Sequence, residues 1–214
     1  QGQADACIAD CTEAIRLNPE LAEAYFNRGA EYVKKSQFDK AIVDCTNAIR
    51  INPKFADAYV VRGLAHKGKR ELERAIADWT EAIQLDPTIG GVYYNRGMAY
   101  LDRDQFEKSI ADCTAAIRLD AQFAYAYYTR GLAYARKGEL NKAIQDYSET
   151  IRLNPKLFYA YYRRGAAYAE GRDFNRAIAD YSEAIRLNAE LCEGYHDRGR
   201  AYARTGFLDK AIAD

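Results

Sequence analysis

The dipeptide Arg-Gly returns six times at a spacing of 34 residues: Arg28-Gly29, Arg62-Gly63, Arg96-Gly97, Arg130-Gly131, Arg164-Gly165 and Arg198-Gly199. Four residues ahead of each Gly stands Tyr25, Tyr59, Tyr93, Tyr127, Tyr161 or Tyr195. Three residues after it stands Tyr32, His66, Tyr100, Tyr134, Tyr168 or Tyr202. A fixed period of this length marks a stack of one repeated unit, which grows by addition and escapes the usual limits on domain size. Most residues then serve the stack. Function is to be sought in the positions that differ between units.

Each unit reads as two helices. With Ala22 as position 1, the Tyr at position 4, the Gly at position 8 and the aromatic at position 11 fall on one helical face. A Gly inside a helix costs about 1 kcal/mol against Ala. Its recurrence predicts that another helix approaches too closely for any side chain. The second helix carries a stripe such as Ala41, Ile42, Cys45, Ala48 and Ile49. Turns within the unit are marked by Gly138, Gly206 or polar runs such as Lys35-Ser36-Gln37. The second helix is expected to stop before Asn18-Pro19, Asn52-Pro53, Asp86-Pro87 and Asn154-Pro155, because proline disfavours helix in the residue before it. Ala121 and Ala189 replace that proline in two units, which predicts less rigid turns there.

This pattern resembles the tetratricopeptide repeat, with signature positions at Tyr25, Gly29, Tyr32, Ala41, Ala48 and Pro53. Departures are His66 for Tyr, and Ser109 and Thr150 for Ala. The resemblance implies an all-α, right-handed superhelical solenoid of antiparallel helix pairs. It divides the whole chain, 1–214, as a single array. Residues 1–21 form the second half of a preceding repeat, full repeats occupy 22–55, 56–89, 90–123, 124–157 and 158–191, and 192–214 hold a partial sixth. Starting and stopping inside a repeat is what an excised segment would do. The Asn-Arg-Gly and Ala-Ile-x-Asp-Tyr phrases resemble bacterial members.

Two columns are uniform: Arg at position 7, and Asp at position 23 (Asp10, Asp44, Asp78, Asp112, Asp146, Asp180 and Asp214). They predict a salt-bridge ladder between helices, since an Arg fork can hold a carboxylate with two bonds. Position 24 holds Cys11, Cys45, Trp79, Cys113, Tyr147 and Tyr181, which reads as an apolar slot. Cys7 and Cys11 share a helix face, but two thiols without a nearby His fall short of a metal site. Five Cys with no pairing pattern point to a reducing, cytoplasmic setting. His66 sits in a core aromatic column and is expected to be packed and hydrogen-bonded.

Charge excludes some functions. Lys plus Arg number 31 and Asp plus Glu 31, so the basic stripe that nucleic-acid binding needs is missing. No apolar run approaches the ~18 residues of a membrane span, and no secretory signal is visible. Nor is there a phosphate loop, a paired-acid arrangement or a nucleophile–base pair, so neither catalysis nor a cofactor is expected.

The resemblance implies a concave face lined by first-helix positions 2, 5, 6, 9, 12 and 13, where these repeats disagree. Of 18 Tyr, those outside the signature columns and position 24 are Tyr94, Tyr125, Tyr128, Tyr159 and Tyr162, all at such positions. Tyr gives large, rigid, amphipathic contact area. Their alternative role is packing between repeats. Arg163 offers a fork for a carboxylate, while Asn27 and Asn95 offer bonds to a peptide backbone. Arg136, Arg200, Arg204, Glu170, Glu193 and Asp197 flank the stripe, and His196 stands in the same face. The family's chaperone-binding carboxylate clamp needs Lys and Asn at positions 5 and 9, and Phe26 and Ala30, Val60 and Leu64, or Tyr94 and Met98 do not supply them. The sequence thus points to a protein–protein interaction scaffold that binds a peptide or a helical segment of a partner in its concave groove. The alternative is homo-oligomeric self-assembly through repeat ends lacking polar caps, where Ile8, Ile15, Ala211 and Ile212 lie.

Overall fold

A computed structural model describes residues 2–214, and helix is the only regular element among them. In order they are α1 (Gly2–Leu17), α2 (Ala22–Lys34), α3 (Phe38–Ile51), α4 (Ala56–Gly68), α5 (Leu72–Leu85), α6 (Gly90–Asp102), α7 (Phe106–Leu119), α8 (Ala124–Arg136), α9 (Leu140–Leu153), α10 (Phe158–Glu170), α11 (Phe174–Leu187), α12 (Cys192–Arg204) and α13 (Leu208–Ala213). The first helices of successive hairpins start 34 residues apart, and the chain is an all-α repeat fold. It forms two compact units, one ending at Ala99 and one spanning Tyr100–Asp214.

In the first unit, hairpins α2/α3 and α4/α5 stack with α3 against α4, and α1 packs on α2. The core around Trp79 gathers Ala75, Ala82, Val92 and Ala99, with Tyr59, Leu64 and Ile76 packed against it. In the second unit α8/α9, α10/α11 and α12/α13 repeat the arrangement, and Ala177, Tyr181 and Ala201 are buried together.

The glycine at position 8 answers to the side chain at position 24. A Cβ on Gly63 would stand 2.5 Å from Trp79 Nε1, and one on Gly131 would stand 2.8 Å from Tyr147 Cε1. The close approach inferred from the sequence therefore has an identified partner. Cys45, Trp79 and Cys113 are fully buried, as the apolar slot requires.

The Arg–Asp columns form two-pronged pairs within five hairpins. Arg28–Asp44, Arg62–Asp78, Arg164–Asp180 and Arg198–Asp214 join Nε to Oδ2 and Nη2 to Oδ1, as does Arg130–Asp146. The remaining guanidinium nitrogen reaches back to the preceding hairpin. It donates to Thr12, Thr46, Thr80, Thr114, Ser148 and Ser182 from Arg28, Arg62, Arg96, Arg130, Arg164 and Arg198. These hydroxyls fill position 25 without exception, a column the sequence reading passed over. Each guanidinium also lies over the Tyr of its own position 4, at 5.4 Å for Arg62 on Tyr59. One arginine thus ties three helices.

Helix ends follow two rules. Each first helix closes in a Schellman turn with its left-handed residue at position 15: Ser36, Arg70, Asp104 and Arg172, as well as Gly138 and Gly206. The amide at position 16 then bonds the carbonyl at position 11, as Gln37 does to Tyr32 at 2.8 Å. The second helices end at the expected place, but the stop does not depend on proline. Asn18, Asn52, Asp86, Asp120, Asn154 and Asn188 each accept the backbone amide two residues on, at 2.8 to 3.3 Å. Asp120 and Asn188 precede Ala121 and Ala189 and make the same turn.

His66 is buried, with Nδ1 2.8 Å from Glu71 Oε2 and Nε2 3.8 Å from Asp78 Oδ2. It takes its column's packing role and adds a polar link to the start of α5.

Candidate functional site

In the second unit α10 touches both α8 and α12, so the first helices lie side by side and present one face. Residues at positions 2 and 5 are one turn apart on each helix, which puts Tyr125 with Tyr128 and Tyr159 with Tyr162. Their environments differ. Tyr125 and Tyr159 are 47% and 49% exposed, while Tyr128 and Tyr162 are half-buried. Tyr128 packs on Tyr147 with ring centroids 5.9 Å apart, and Tyr162 on Tyr181 at 5.8 Å. The inner pair of tyrosines therefore belongs partly to the inter-repeat core. The outer pair faces solvent.

Polar groups organise this surface. The Tyr162 hydroxyl donates to Asp197 Oδ2 at 2.9 Å, linking α10 to α12. Burial, with Asp197 beside it, pushes the Tyr162 phenol up to about 12. Burial also raises the Tyr128 phenol, while the Arg163 guanidinium acts in the opposite direction. Arg163 is exposed and lies 5.6 Å over the Tyr162 ring. Tyr128, Tyr159, Tyr162 and Arg163 thus converge, joined by Asp197. The other expected residues lie in the first unit. There Asn27 is exposed on α2, and Tyr94 and Asn95 are half-buried on α6. His196 is exposed on α12.

A cleft of about 690 Å³ opens between α10 and α12. Ala166, Ala169 and Ala201 form its walls, and Phe174 and Tyr181 line it from α11. Glu170, Arg172, Asp197, Arg200 and Arg204 supply its charge. Sequence reasoning placed Glu170, Asp197, Arg200 and Arg204 beside the groove but missed Arg172, Phe174 and Tyr181. Tyr181 was assigned to the packing slot, where it is indeed buried, and it still reaches the cleft. The available signal was the small residues at positions 9 and 12 of α10, Ala166 and Ala169, which leave room beside a large ring. No group of three or more His, Cys, Asp or Glu among the described residues is arranged to hold a metal ion. Among the described residues no helix is long and apolar enough to cross a membrane.

The tetratricopeptide repeat family matches residues 22–55 and 124–157, and again 56–89 and 158–191, and a further TPR repeat family matches 97–138. No curated protein sequence matches the chain significantly. Among solved structures, YrrB, described as a TPR protein with an unusual peptide-binding site, is 21% identical with a TM-score of 0.78, covering 88% of this chain and 97% of YrrB. MamA is 27% identical with a TM-score of 0.72, covering 77% of this chain and 96% of MamA. The C-terminal part of a TPR repeat-containing protein from Cytophaga hutchinsonii is 20% identical with a TM-score of 0.80, covering 99% and 87%.

Proposed function

Because this chain belongs to the tetratricopeptide repeat family, we propose that it is a non-catalytic interaction scaffold, binding an extended peptide segment of a partner protein across α8, α10 and α12. The observation that carries this reading is the pair of half-exposed rings, Tyr125 and Tyr159, on adjacent first helices, with Tyr159 and the exposed Arg163 both close to Tyr128. Rings that merely completed the inter-repeat core would be covered, as Tyr147 and Tyr181 are. Half-exposed aromatic rings, Tyr159 backed by Phe158 at 3.9 Å, next to an arginine fork offer apolar anchorage and carboxylate or carbonyl recognition together. Two fixed χ angles make Tyr an economical anchor in entropy. Peptide binding by YrrB, a protein of similar fold, is consistent with this use of the hairpins.

The test is selection from a displayed random-peptide library against the wild-type chain, with the triple variant Tyr125→Ala, Tyr159→Ala, Arg163→Ala as counter-target. All three side chains are exposed, so the variant should keep its helical circular dichroism. Enriched peptides that bind wild type and lose about tenfold or more in affinity for the variant support the reading. Enrichment indifferent to the substitutions rejects this face.

A further inference from the structure

The cleft between α10 and α12 has a charge pattern that the stack does not use. The position-7 arginines Arg28, Arg62, Arg130, Arg164 and Arg198 are each matched by the aspartate at position 23 of their hairpin. Around the cleft Asp197 is already engaged, accepting from the Tyr162 hydroxyl at 2.9 Å and standing 3.6 Å from Arg200. Arg172 and Arg204 form no salt bridge with any described residue, and Glu170 is the one other acid among the residues lining the cleft. The cleft thus holds an uncompensated excess of guanidinium above an apolar floor of Phe174 and Tyr181. Its volume falls in the range of about 300–1,000 Å³ typical of ligand-binding clefts.

We propose that this cleft selects an acidic peptide that carries a bulky apolar side chain, the apolar group seated on Phe174 and Tyr181 and the carboxylates held by Arg172 and Arg204. The proposal rests on the scaffold reading and names the partner's chemistry within it. An arginine fork holds a carboxylate with two parallel bonds, and the low wall of Ala166, Ala169 and Ala201 leaves the floor open to a large side chain. Arg172 occupies the left-handed position of its turn, φ 64°, which fixes the backbone from which its side chain approaches the cleft mouth. A basic peptide would meet Arg172, Arg200 and Arg204 unfavourably, so the same charges reject as well as select.

The experiment measures fluorescence anisotropy of three fluorescein-labelled ten-residue peptides in which Leu alternates with Glu, Gln or Lys. The Glu peptide should bind about tenfold or more tighter than the Gln and Lys peptides. Two variants of the chain, each checked for unchanged helical content, complete the test. The charge reversal Arg204→Glu should remove the preference for Glu, and Ala169→Trp should block the floor and weaken the Glu and Gln peptides alike. Equal binding of the three peptides, or a Glu preference that survives Arg204→Glu, overturns the cleft proposal and leaves the scaffold reading intact. Absence of binding by all three overturns the proposed ligand class. In that case the display selection decides independently whether the tyrosine face binds peptides of another kind.

Discussion

Arg130 meets Asp146 through two bonds, Nε to Oδ2 at 2.8 Å and Nη2 to Oδ1 at 2.7 Å, and its third nitrogen donates to Thr114 at 3.1 Å. Burial raises the Asp146 carboxyl although Arg130 works against it, so desolvation outweighs the pairing at this site. Removing one partner leaves the other charge stranded. Arg130→Leu or Asp146→Leu alone is therefore expected to cost about 3 kcal/mol, and the double variant much less than the sum. Urea unfolding of the four proteins measures it. Additive losses would mean that the pair acts as two independent surface charges.

The hydroxyl column gives a smaller effect. Ser182 accepts from Arg198 Nη1 at 3.1 Å and donates to the Ile178 carbonyl at 2.7 Å. Ser182→Ala should cost about 1 kcal/mol, the net value of one such bond, by loosening α12 from α11. Hydrogen exchange should show faster opening of α12 and little change in α8.

Much of this was legible in the sequence because a repeat writes each contact many times. The Arg and Asp columns announced a ladder, and the recurrent Gly announced a close approach. What escaped was information that only orientation supplies. Thr12 and Ser182 look like ordinary surface hydroxyls until the guanidinium of the next hairpin is seen to reach them. Proline seemed to end the second helices, yet Asp120 and Asn188 make the same turn without it. For the candidate face, helical spacing put Tyr125 and Tyr159 beside Tyr128 and Tyr162. It could not say that the first two are open and the last two half-covered, since that depends on the rings of Tyr147 and Tyr181 from another helix.

The left-handed residues at position 15 carry strain that four of the six turns have not relieved. Ser36 has φ 57° and lacks the freedom of Gly138, φ 77°, at the equivalent place. Ser36→Gly should raise stability by about 0.5–1 kcal/mol, and Gly138→Ala should lower it by a similar amount. Thermal unfolding of both variants tests the pair. A Ser36→Gly protein no more stable than wild type would place the cost elsewhere in the turn.

Ser109 stands where α3, α5, α9 and α11 carry a fully buried Ala, and its Oγ, also fully buried, has no hydrogen-bond partner among the described residues. A buried hydroxyl in that condition costs on the order of 1 kcal/mol. Ser109→Ala should accordingly raise the midpoint of urea unfolding without changing its slope. A lowered midpoint would show that the hydroxyl is satisfied by a group such as the neighbouring Cys113 thiol.

The cysteines should separate by reactivity. Burial pushes Cys45 and Cys113 up to about 12, so almost no thiolate is present near neutral pH, and both are closed to solvent. Cys11, raised to about 11 by burial and by Cys7, is also buried. Cys192 is exposed at the start of α12. With a thiol reagent in excess at pH 8, Cys192 should react within the fast phase. Cys45 and Cys113 should react only as their hairpins open, and so should speed up in step with any destabilising variant such as Arg130→Leu. Peptide mapping of the modified sites over time assigns each phase. Fast labelling of Cys45 or Cys113 in the native protein would contradict the packing of position 24 against the glycine column.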